Sequence, residues 1–223
     1  MTRLGHRARD AVDAGPPEHR WPPIVAVVAA MVLWLLLPGY FFASFRFAAV
    51  IACGLLIVPL VVLNPRHLTR QTNWSRWLSV ALALVLLAFN QVLLVRLVHE
   101  LLTAPETEGV SVLIAALQLW STNAIAFGLL YWELDSGGPV ARASGLPPVR
   151  SDFQFPQEVT RPLEAWRPRF FDYLYVSITA GIAFSPADAL PLTRRAKAFM
   201  ALEALSAYIL SVLVIARAVS AVT

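Results

Sequence analysis

The chain has 223 residues, 58% of them hydrophobic and only 14% charged, with a mean hydropathy of +0.64. Soluble domains carry roughly 25% charge, so this composition excludes an ordinary water-soluble fold and predicts an integral membrane protein. The net charge of +4 does not signal nucleic acid as a partner, because the arginines lie between apolar blocks, where they act as topology signals.

Residues 1–20 are polar, mixed in charge and broken by Gly15-Pro16-Pro17, and are expected to form a disordered cytoplasmic tail. Residues 21–132 are expected to hold four transmembrane helices, since a helix needs about 20 apolar residues to cross a bilayer. The first block, 21–45, starts at the interfacial Trp21; its helix ends near Pro38-Gly39, and Arg46 caps a short hairpin. The second, 47–63, contains the single cysteine, Cys53, which cannot form an internal disulfide and reads as a small buried residue. Pro59 in the same block is a tolerated kink.

Residues 64–77 then form a basic loop with Arg66, Arg70 and Arg76 beside Trp74 and Trp77, the composition of a cytoplasmic loop with an aromatic anchor. The third block, 78–95, carries Asn90 and Gln91, and the fourth, 110–132, carries Gln118, Ser121, Thr122 and Asn123. These polar groups are expected to face the bundle, either bonding helix to helix at about 0.6–2 kcal/mol each or lining a polar path. Residues 133–169 form a proline-rich cytoplasmic loop, in which Glu133 and Asp135 are explained by a helix ending at Gly137-Gly138. The fifth block, 170–190, is the least apolar; the sixth, 196–222, is a clear helix.

The expected fold is therefore all-α: a polytopic transmembrane helical bundle of about six apolar segments, the fifth crossing or re-entering. The basic residues put the N-terminus on the cytoplasmic side of a cell membrane. The C-terminus joins it if the fifth segment crosses and lies opposite if it re-enters.

Burying a charge at membrane depth costs at least ~2.5 kcal/mol, which singles out Asp172, Asp188, Glu203 and Arg217. Glu203, Ser206, Leu210 and Arg217 share one helix face, but Glu203 and Arg217 are about 21 Å apart. Glu203 must then pair with Arg195 or Lys197, or carry a proton. Asp188 either caps a helix starting near Leu190 or Pro191 or belongs to an ion site. His6, His19, His67 and His99 lie outside the span interiors and lack metal-ligand spacing. No metal, cofactor or catalytic residue is expected, and the chain does not read as an enzyme.

The C-terminal half resembles a group of uncharacterised bacterial integral-membrane proteins of the domain-of-unknown-function type. The matching runs are Gly137-Gly138-Pro139, Phe153-Gln154-Phe155-Pro156, Phe171-Asp172-Tyr173-Leu174-Tyr175-Val176-Ser177, Ala183-Phe184-Ser185-Pro186-Ala187-Asp188 and Ala216-Arg217-Ala218-Val219. More distantly, it is similar to the pore-loop and inner-helix region of potassium channels. Tyr175-Val176-Ser177-Ile178-Thr179 stands where their pore helix is, followed by Asp188, Pro191 and a long helix. Ser185 and Ala187 replace the filter glycines, so the resemblance implies a pore-loop-like unit over residues 170–223 without potassium selectivity.

That likeness implies a bacterial inner-membrane location and, if each subunit supplies one pore loop, a homo-oligomer in the lipid bilayer. Together with the charges at depth it outlines a candidate ion or proton path of Asp172, Ser177, Thr179, Ser185, Asp188, Glu203 and Arg217. The competing expectation is a structural or partner-binding membrane protein whose polar side chains only join helices.

Overall fold

A computed structural model describes residues 17–38, 43–63, 68, 72–103, 109–144, 150–160, 166–182 and 189–220. Four helices are long and apolar enough to cross a membrane, over Ser44–Leu63, Asn73–Thr103, Val110–Gly137 and Arg194–Ala216. The protein is a multi-pass, predominantly helical membrane bundle.

Helix α1 (Trp21–Leu35) begins with Pro22 and Pro23, which need no backbone donor in a first turn. The described chain reaches back to Pro17. Although the tail was expected to extend to residue 20, Glu18 accepts hydrogen bonds from the Trp132 indole (2.9 Å) and the Phe170 amide (2.6 Å). Helix α2 (Ala43–Leu63) runs without interruption through Pro59 and includes Arg46. Arg46 donates to the Leu37 carbonyl beyond the end of α1, the capping role expected of it.

Helix α3 (Asn73–Thr103) starts five residues before the third apolar block, so Trp74, Arg76 and Trp77 are helical rather than loop. A reciprocal pair explains the early start: the Thr72 amide donates to Ser75 Oγ and the Ser75 amide to Thr72 Oγ1. Helix α4 (Gly109–Leu134) ends in a 3-10 turn, Asp135–Gly137. Ser136, Gly137 and Gly138 there have φ of 51°, 86° and 94°, left-handed values that stop a helix.

The described residues of the expected loop, 133–144, 150–160 and 166–169, form a folded cap. It contains α5 (Pro139–Ala143), β1 (Phe153–Gln154) and α6 (Pro156–Thr160), and it buries Phe153 and Phe155. Helix α7 (Phe170–Ile182) follows, then β2 (Leu190–Pro191) and α8 (Arg194–Ser220). The fifth block is thus 13 helical residues, about 20 Å at ~1.5 Å each. Thr193 caps the final helix, accepting from the Ala196 amide; Asp188, the expected cap or ion-site residue, and Ser185 lie outside the described residues.

Helix α4 is the hub, packing against α1, α3, α7 and α8. Tyr173 meets Asp135, Leu174 lies against Gly128, Ser177 reaches Ala124 and Gly181 reaches Trp120. Helix α7 is therefore antiparallel to α4. Glu203 bonds Tyr131 and Ser177, and Ala207 lies against Gly181, so α8 runs in the same direction as α7. Both start at one end of the bundle, where β2 pairs antiparallel with β1, which precedes α7.

Candidate functional site

Two polar clusters meet halfway along the bundle. In the first, Asn123 Oδ1 accepts from Asn90 Nδ2 (3.0 Å) and Gln91 Nε2 (2.9 Å). Thr122 donates to Asn90 Oδ1 (2.5 Å), the Trp34 indole approaches the same oxygen at 3.4 Å, and Ser206 donates to Gln91 Oε1 (3.0 Å). These groups join α1, α3, α4 and α8. Of the polar residues singled out by sequence, Ser121 instead bonds back to the Leu117 carbonyl of its own helix. Gln118 Oε1 has no hydrogen-bond partner among the described residues.

Because Asn90 is fully buried and engaged by three groups, Asn90→Leu is expected to lower stability by about 1–2 kcal/mol. Thermal melting in detergent checks this; an unchanged midpoint would mean that the cluster holds nothing together.

The second cluster surrounds Glu203, which is 1% exposed. Its partners are hydroxyls rather than the Arg195 or Lys197 expected from sequence. Tyr131 donates to Oε2 at 2.6 Å, and Ser177 contacts Oε1. Ser177 has one hydroxyl proton but also faces the Ala124 carbonyl at 2.8 Å. The Ser177 hydroxyl thus donates toward both Glu203 Oε1 and the Ala124 carbonyl, while Tyr131 donates to Oε2. Glu203, Ser206 and Leu210 are buried on one face, as their spacing predicts; the Arg217 side chain lies outside the described residues.

Arg195 has a different partner. Its guanidinium grips both oxygens of Asp152 (2.5–3.0 Å), and Thr193 donates to the same carboxylate. Asp152 thereby ties the start of α8 to the cap. Next to it, Asp135 is 1% exposed and accepts from the amides of Asp152 (2.6 Å) and Phe153 (3.2 Å), from Ser151 (3.2 Å) and from Tyr173 (2.5 Å). Arg142 donates to the Trp132 and Asp135 carbonyls and stacks over Tyr173, 4.9 Å from the ring centroid.

The remaining path candidates are local. Half-buried Asp172 accepts from the Arg169 amide (2.7 Å) as a helix N-terminal cap, and Thr179 bonds back to Tyr175 and Val176 carbonyls. Around the cap, burial pushes the Glu158 carboxyl upward; the Phe155 amide opposes this and the Asp135 charge adds to it. Burial also holds Arg20 below its ordinary value, against the pull of Glu133.

Tyr131 and Trp34 were not singled out by sequence. One signal existed for Tyr131: it precedes Asp135 by four residues as Tyr173 precedes Ser177 by four, placing polar groups on one helix face. Among the described residues, no three His, Cys, Asp or Glu side chains converge as for a metal. Neither a family model, a curated protein nor a solved structure matches the chain.

Proposed function

We propose that this membrane bundle carries protons or a small cation through its C-terminal unit of α4, α7 and α8, and that it is not an enzyme. The carrying observation is Glu203, a buried carboxyl at mid-depth whose hydrogen-bond partners among the described residues are hydroxyls, on a helix that runs parallel to α7. Helix α7, at about 20 Å, is shorter than the ~30 Å hydrocarbon core, as is the 15-residue α1. But α1 is followed by α2 at its far end, through Arg46 and Leu37, whereas the chain after α7 returns. With β2 back at the end where α7 began, the fifth segment reads as re-entrant, entering and leaving by one face.

The arrangement supports the distant likeness to potassium channels in one respect: there too a short helix and a return precede a helix running the same way. A conducting form requires several copies, because one loop encloses no pore. Described basic residues Arg20, Arg76, Arg142, Arg150, Arg167, Arg169, Arg194, Arg195 and Lys197 belong to the end where α7 and α8 start, which this reading assigns to the cytoplasm. The N-terminus then lies inside and the C-terminus outside, in a bacterial inner membrane.

Proteoliposomes test the proposal. Wild-type protein is expected to pass protons or a monovalent cation, and Glu203→Gln, which keeps the shape but cannot release a proton, to reduce flux by at least about tenfold. No flux above empty liposomes would overturn conduction. It would favour a scaffold that binds a partner, a reading to which the mutually satisfied Asn90, Gln91, Asn123 and Ser206 already lend support.

A further inference from the structure

At the arginine-rich end, a half-open cavity of about 50 Å³ lies between α1, α2, α3 and α4. Its deeper wall is apolar, built from Val27, Ile57, Leu60 and Leu82, and its outer wall holds Arg20, Arg76, Ser79 and Glu133. The lining sets two guanidinium groups, those of Arg20 and Arg76, against one carboxyl, Glu133. One arginine would neutralise that carboxylate, and each further buried cation adds a desolvation cost. The cluster therefore keeps a positive excess that suits an anion.

The height of the cavity indicates where the anion comes from. Trp21, Trp74 and Trp77 are 55%, 53% and 70% exposed and adjoin Arg20, Ser75 and Arg76 in sequence. Exposed tryptophans of a membrane protein sit at the headgroup level. The apolar wall is contributed from one to two turns deeper in α1 and α3, toward the acyl chains. At roughly 10–15 Å³ per water-sized group, the enclosed part of the space suits a group of phosphate size.

We infer that this cavity binds the phosphate of an anionic phospholipid, with Arg76 and Arg20 as its donors and the start of an acyl chain against Ile57 and Leu60. The inference is independent of conduction. Full-length protein, delipidated in detergent, is titrated with dihexanoyl phosphatidylglycerol, dihexanoyl phosphatidylcholine and inorganic phosphate, with tryptophan fluorescence as the readout. The phosphatidylglycerol is expected to bind roughly tenfold tighter than the phosphatidylcholine, and Arg76→Gln to remove that preference.

Leu60→Trp, which fills the apolar wall and leaves every charge in place, is expected to weaken phosphatidylglycerol binding by at least about tenfold; it carries the test if Arg76→Gln fails to fold. Equal affinity for the two lipids, or binding untouched by the folded variants, overturns the inference. Inorganic phosphate binding as tightly as phosphatidylglycerol would also overturn it, assigning the site to a free anion.

Discussion

Asp135→Ala is expected to destabilise the protein by at least about 3 kcal/mol, because it strands three buried donors at about 1–3 kcal/mol each. Those donors are the Tyr173 hydroxyl and the amides of Asp152 and Phe153. The loss is a large share of the roughly 5–15 kcal/mol that holds a typical domain together. It should appear first in the cap, as faster trypsin cleavage at Arg150 and Arg169, and then as a lower melting temperature in detergent. Asp135→Asn retains one acceptor oxygen and should lose less. A melting temperature within a degree of wild type for Asp135→Ala would show that the cap is held by its buried aromatics alone.

Gly128→Val should have the next largest effect. A Cβ at Gly128 would lie 2.9 Å from the Leu174 Cα and 3.3 Å from its amide nitrogen, so a backbone has to move. Overpacking of this kind costs typically 1–3 kcal/mol even where flexible side chains yield. Here α7 is held on both sides of the contact, by Tyr173 on Asp135 and Ser177 on Ala124. The displacement would part Ser177 from Glu203, so any flux should fall along with stability. Gly54→Ala is the matched control: nothing lies within 4 Å of a Cβ there, and alanine is the better helix former. Equal melting temperatures for Gly128→Val and Gly54→Ala would show that α4 and α7 are less closely locked than their separation implies.

Both predictions concern contacts that sequence alone did not reveal. Asp135 was legible as a residue at a glycine-ended helix terminus, and that terminus is real. Its role as an anchor for Tyr173 and the Asp152–Phe153 backbone depends on groups 17 to 38 residues away. Arg195 and Lys197 were the natural partners for Glu203 by proximity along the chain. Yet Arg195 lies two turns nearer the end of α8, where Asp152 offers both oxygens, while Glu203 lies level with Tyr131 and Ser177.

By itself the sequence determined the solvent: apolar blocks of spanning length leave no soluble alternative, since each helix satisfies its own backbone and needs no distant partner. It also determined the buried face of α8, because Glu203, Ser206 and Leu210 follow the helical repeat. The tertiary structure alone decided that α7 and α8 run in the same direction, that α3 begins at Asn73, and which polar groups meet. Hydropathy carries no direction along a segment, and a hydrogen bond between residues far apart in the chain leaves no periodic trace. Those features were set when α4 packed against four helices at once and each buried polar group had to find a donor or acceptor at its own height.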